Sequence, residues 1–144
     1  KIFDIKKRDT KKNFIVLAGS LDSIEKNLCS ISKQDKNYIS NYWPGPYTFL
    51  IKYKENIPHH LKNESQKLAI RVSNHLPIEH LLKAFNGFMI STSVNISGEK
   101  SMNDINEIIQ SFEYEELAYY DEELGANKKP SQIIDLKSKS IIRR

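Results

Sequence analysis

Very little in this chain would suit a metalloprotein, a disulfide scaffold or a membrane protein. Cys29 is the only cysteine among 144 residues, so no internal disulfide can form and a reducing cytoplasm is the expected compartment. The four histidines, His59, His60, His75 and His80, lack metal-ligand spacing with Cys29 or with one another, so no zinc site is expected. No apolar run reaches the length of a membrane span, and no signal-peptide pattern opens the chain. GxxxxGK[ST], GxGxxG after a strand, GxSxG and HExxH are all missing. A nucleotide, if bound, is held without a Walker loop, and neither flavin nor nicotinamide is expected.

What is present is a basic, lysine-rich chain of single-domain length. Its 22 basic residues outnumber 18 acidic ones, a balance that suits a polyanion such as a nucleotide or RNA without requiring one. Only Arg8, Arg71, Arg143 and Arg144 are arginines. An arginine kept in such a lysine-rich chain hints that its planar fork is needed there.

Ile2, Phe3 and Ile5 read as the last turns of a helix, and Phe14 to Ala18 as a buried strand. Ser20 can cap a helix reaching Ile31, with Leu21, Ile24, Leu28 and Ile31 on one face and Cys29 inside it. A short helix from Lys36 to Tyr42 leads into "YWPGPYTFLIKY", where Pro44-Gly45-Pro46 must break regular structure. Trp43 and Tyr47 are expected to anchor that turn in the core, with Thr48 serving stability. Strands are expected at Tyr47–Tyr53, Lys67–Val72, Phe88–Ser91, Leu117–Tyr120, Gln132–Asp135 and Ser140–Arg143. Helices are expected from Pro77 to a stop at Gly87, and from Asp104 to Phe112. Early alternation of helix and strand, then clustered strands, predicts an α/β domain with a mixed parallel and antiparallel sheet and flanking helices.

Two stretches carry possible chemistry. In "IKKRDTKK", Lys6 and Arg8 point apart on a helix but share a side on extended chain, where they could converge on an anion with Lys12 nearby. The bland alternative is a solvated basic run at a helix end. In "STSVNISG", hydroxyls, backbone N–H groups and the Asn95 amide follow directly after a strand. Such a nest cradles phosphate oxygens; the alternative is a polar turn that satisfies itself.

The blocks "IFDIKKR…KK", "YWPGPYT", "LAIRVS", "ISTSVNISGE", "PSQIIDL" and "SIIRR" resemble, in order and over nearly the whole length, the motifs of the YrdC-type threonylcarbamoyl-AMP synthases. The resemblance implies a single YrdC-like domain over residues 1–144, with a twisted sheet and a positively charged cavity. It implies a cytoplasmic nucleotidyltransferase that joins L-threonine, bicarbonate and ATP into threonylcarbamoyl-adenylate and pyrophosphate, with Mg2+ on the phosphates. The product would go to a threonylcarbamoyl-transferase complex acting on tRNA adenosine 37. Lys6, Arg8, Ser93 and Asn95 fall on the family's catalytic positions. Arg71, Ser91, Ser131 and Arg143 join them as ATP-binding residues, and Thr92, with Arg8 and Ser93, as substrate-binding. Departures are Val94 for the usual alanine, Asn13 for proline or glycine, and Ser73 for proline.

Nothing matches the family's first strand and its "PTET-x-YGL" segment, so the expectation is an N-terminally incomplete version of the enzyme. Two other readings stay open. One is a YrdC-like RNA-binding or ribosome-maturation protein without adenylate chemistry. The other is a carbamoyl-transfer module of the kind found in much longer hydrogenase-maturation proteins.

Overall fold

The computed structural model describes residues 1–112, 117–125 and 129–144. They form two compact units: Lys1–Lys12 with Thr92–Leu124, and Asn13–Ser91 with Gly125–Arg144.

The larger unit is built on a six-stranded mixed sheet. Its strands are β1 (Ile15–Ala18), β2 (Tyr47–Lys52), β3 (Lys67–Val72), β4 (Met89–Ser91), β5 (Gln132–Asp135) and β6 (Ile141–Arg143), in the order β4-β1-β3-β2-β5-β6. β1 runs parallel to β3 and β2 parallel to β5, while the β1–β4, β2–β3 and β5–β6 pairs are antiparallel. Alternation decides the faces. Val16, Ile70, Phe49 and Ile134 share one register row and are almost fully buried. They form the core with Ile24 of α2 (Leu21–Glu25) and Ile39 of α3 (Lys33–Ser40). The next row places Leu17, Arg71, Thr48, Ile133 and Arg143 side by side on the opposite face.

The proline turn is packed as expected. Trp43 is buried edge-on against Phe49, with ring centroids 5.3 Å apart, and its Nε1–H donates to the Tyr47 carbonyl at 2.7 Å. The Gly45 N–H reaches the Val72 carbonyl at 2.8 Å, and a Cβ on Gly45 would lie 2.5 Å from the Tyr42 carbonyl oxygen. Only glycine fits that approach.

Several boundaries differ from expectation. Ser20 does cap α2 through a reciprocal capping box with Ser23, but the helix stops at Glu25 rather than Ile31. Leu28 instead bridges Tyr53, and the Cys29 N–H bonds the Lys52 carbonyl at 2.9 Å. Pairing against β2 overrides the helical stripe there. Cys29 therefore lies outside the helix, its thiol 3.3 Å from the Tyr53 carbonyl. α3 begins earlier than expected because the Ser32 hydroxyl caps it, accepting from the Asp35 N–H. α4 (Leu76–Phe85) carries Pro77 in its first turn and ends on Asn86, whose φ of 53° makes it, not Gly87, the left-handed residue. Asparagine tolerates that region through its short polar side chain.

In the smaller unit, α1 (Ile2–Ile5) and α5 (Ile105–Ser111) are regular, and Asp104 caps α5 by accepting from Asn106 and Glu107 N–H at 3.0 Å each. The strand expected at Leu117–Tyr120 is absent. Tyr119 instead donates its hydroxyl to the Phe112 carbonyl at 2.5 Å, a side-chain tether in place of a ladder. No helix among the described residues is long and apolar enough to cross a membrane.

Two carboxylates in the larger unit set its acid sensitivity. Burial alone would raise the Asp135 pKa, but the Lys67 hydrogen bond and the Ser138 N–H outweigh it, and the net shift is downward from 3.8. Hydrogen bonds from Lys139 and Ser32 also lower Asp35. A carboxylate with a lowered folded pKa stabilises fully above its unfolded value and loses that contribution as pH falls through the folded one. Urea midpoints are therefore expected to hold down to about pH 4 and to drop below it, with a smaller drop in Asp135→Asn. A flat profile to about pH 2.5 would contradict these ion pairs.

Candidate functional site

The sequence-predicted residues fall into two clusters, one in each unit. In the smaller unit α1 does not run on into extended chain. Lys7 turns left-handed at φ 46°, and the Arg8 N–H folds back to the Phe3 carbonyl at 2.8 Å. That turn leaves Lys6 buried. Its Nζ donates to the carbonyls of Ser93 at 2.5 Å and Asn95 at 2.6 Å, and to Asn95 Oδ1 at 3.1 Å. An ammonium has three protons, and each finds an acceptor. The Ser97 N–H also reaches the Lys6 carbonyl at 2.8 Å. Lys6 thus staples the "STSVNISG" loop to the end of α1.

The loop closes on itself around that staple. Ser93 Oγ donates to Asn95 Oδ1 at 2.6 Å, and Asn95 Nδ2 to the Glu99 carbonyl at 2.7 Å. The Met102 N–H bonds the Val94 carbonyl at 2.8 Å, and Lys12 Nζ lies 3.3 Å from Ser97 Oγ. Gly98, at φ 95°, supplies a backbone turn that a side chain would strain. Ser93 is exposed and Thr92 half-buried. Burial, then the Arg8 charge, lowers the Lys6 pKa from 10.5, but only the ammonium can donate to all three oxygens. The Lys6 ammonium, the Ser93 hydroxyl and the Asn95 amide are thus all bonded within this segment, as in a polar turn that satisfies itself.

In the larger unit the cluster centres on Thr48, fully buried in β2. Its Oγ1 lies 2.8 Å from Ser131 Oγ. Arg143 donates to the Ser131 carbonyl from Nε at 3.2 Å and Nη2 at 2.8 Å, and from Nη2 to Ser131 Oγ at 3.3 Å. Arg71, opposite Thr48 in register, donates from Nε to the Gly45 carbonyl at 3.1 Å. Ser91 stays in the ladder opposite Ile15. Thr48 was not among the expected site residues. Its signal was a hydroxyl inside the apolar run "YTFLI", which a buried strand tolerates only with a partner. Thr48→Val should keep the shape and remove the bond, costing about 1 kcal/mol of stability in urea titration. A variant as stable as the parent would show that the hydroxyl pair contributes nothing.

The candidate residues are cations, hydroxyls and one amide, with no carboxylate among them, so they do not form a protein cage for a divalent cation. Among the described residues no group of three His, Cys, Asp or Glu side chains could hold a metal.

A family model for the Sua5/YciO/YrdC domain, described as telomere recombination, matches residues 1–144. The threonylcarbamoyl-AMP synthase of Buchnera aphidicola from Acyrthosiphon pisum is 33% identical over 145 residues, covering 99% of this chain and 82% of the relative. That of Chromobacterium violaceum is 30% identical over 143 residues, covering 99% and 74%. Among solved structures, Sua5 of P. abyssi, complexed with L-threonine, superposes with a TM-score of 0.83 at 23% identity. That match covers 94% of this chain but only 40% of the other, and it speaks for the fold.

Proposed function

Since the chain belongs to the Sua5/YciO/YrdC family, we propose that it is a nucleotidyltransferase forming threonylcarbamoyl-AMP and pyrophosphate from L-threonine, bicarbonate and ATP. The observation that carries this is the identity of 30–33%, spanning 99% of the chain, to two relatives named threonylcarbamoyl-AMP synthase. The geometry supports it from the chemical side. A carbamate oxygen attacking the α-phosphorus, with pyrophosphate leaving, needs no protein nucleophile. It needs orientation and charge neutralisation, which fixed cations and hydroxyls provide.

In this reading Arg71, Ser91, Ser131 and Arg143 bind the nucleotide. Lys6, Arg8, Ser93 and Asn95 are assigned to catalysis, and Arg8 with Thr92 and Ser93 to the threonine carbamate. Mg2+ belongs to the nucleotide as its phosphate-bound counterion, not to a protein cage. The adenylate would then pass, in the cytoplasm, to a transferase complex that modifies tRNA adenosine 37.

The deciding experiment is pyrophosphate release from ATP with threonine and bicarbonate supplied together or singly. Release only when both are present is expected. RNA binding with no threonine-dependent release would favour the RNA-binding reading and overturn this one.

A further inference from the structure

β6 is three residues long and exposed at every position, yet it carries Arg143. It pairs with β5 at Ile133↔Arg143 and Ile134↔Ile141, with a register irregularity between the two pairs. In a ladder this short, a slip of one residue would turn Arg143 to the opposite face. The register needs a constraint from outside the ladder.

Asp135, at the end of β5 and 6% exposed, supplies one. Its Oδ1 accepts from the N–H groups of Lys137 at 3.0 Å and Ser138 at 3.1 Å, and from Ser138 Oγ at 3.3 Å. Its backbone closes the same turn, with Asp135 N–H to the Ser140 carbonyl at 2.9 Å and Lys139 N–H to the Asp135 carbonyl at 2.8 Å. Lys139 adopts φ 59° to make that return possible. Oδ2 is held by the Lys67 ammonium, which reaches it from β3 across the intervening β2. Every partner of the carboxylate is a donor. An acceptor-only group is required on both oxygens, and an amide would turn an NH2 against one of them.

We propose that Asp135, anchored by Lys67, is a positioning residue for Arg143. It fixes the turn over residues 136–140, and with it the β6 register that lays the Arg143 fork against Ser131. The consequence for nucleotide affinity rests on the reading of Arg143 given under Proposed function; the positioning itself does not.

The test uses the full chain with Asp135→Asn, Arg143→Ala and the double variant. In 15N-labelled protein the Arg143 Nε–H, bonded to the Ser131 carbonyl, should exchange slowly with water. In folded Asp135→Asn it should broaden or exchange fast. ATP binding by calorimetry should weaken roughly tenfold in each single variant, equivalent to about 1.4 kcal/mol. The double variant should be no weaker than Arg143→Ala, because the two changes remove one interaction. An unchanged Nε–H signal in folded Asp135→Asn, or losses that multiply in the double variant, would overturn the proposal. If Arg143→Ala binds ATP like the parent, the nucleotide role of Arg143 fails, and the Nε–H signal alone decides the positioning. Should Asp135→Asn not fold, Lys67→Met, which keeps the Oδ1 cap, takes its place in the same measurements.

Discussion

Lys6→Met should lower stability by about 2–4 kcal/mol and cut threonylcarbamoyl-adenylate formation at least ~100-fold. Methionine keeps the length of the stem, so what is removed is the ammonium and its bonds to Ser93 O, Asn95 O and Asn95 Oδ1. Hydrogen bonds from a charged donor contribute about 1.5–3 kcal/mol each, and water entering an exposed loop returns part of that loss. The sequence pattern alone suggests a cation that converges with Arg8 on an anion. With all three protons taken by the loop, the stability cost becomes the discriminating measurement. Lys6→Arg should not rescue, because a planar fork cannot meet three converging carbonyl-type oxygens. A Met variant that melts with the parent would show that the loop holds its shape without the staple.

Trp43→Ala should be the most destabilising single change, at about 3–5 kcal/mol. The indole is 9% exposed, packs on Phe49 and bonds the Tyr47 carbonyl. Its removal leaves a cavity beneath the turn that feeds β2 and also removes the N–H donor to the Tyr47 carbonyl. Trp43→Phe restores most of the volume but not the N–H donor, so about 1–2 kcal/mol should remain. Urea unfolding of both variants checks the order. If Phe and Ala behave alike, the hydrogen bond rather than the packing holds the turn.

How far the sequence could be read depended on the range of the interactions involved. β3 at Lys67–Val72 and β5 at Gln132–Asp135 match their expected spans residue for residue, because a buried strand writes its apolar run locally. The end of α2 could not be read, since the apolar spacing through Leu28 and Ile31 is continuous. What stops the helix is a bridge to Tyr53, far along the chain. The strand expected at Leu117–Tyr120 failed for the complementary reason: an apolar run without a ladder to join has no strand to form. Motif order pointed to Lys6, Ser93, Asn95, Ser131 and Arg143 as site residues. It could not say that Lys6 is spent on the loop, or that Thr48 stands behind Ser131, because those contacts span 83 to 89 residues.

The register row Arg71–Thr48–Ile133–Arg143 also works as a ruler. Adjacent strands lie about 4.8 Å apart, so three steps separate the two arginine backbones by roughly 14 Å. Each fork is tied near its own end, Arg71 to Gly45 and Arg143 to Ser131, so neither is free to swing to the middle. The usual sheet twist of about 20–25° per strand turns them by some 60–75° relative to each other. A small isolated anion would meet one fork or the other. If both forks bind one ligand, as proposed, that ligand must extend along the row and curve with it, so the sheet itself would select for ligand length before any side chain selects for chemistry.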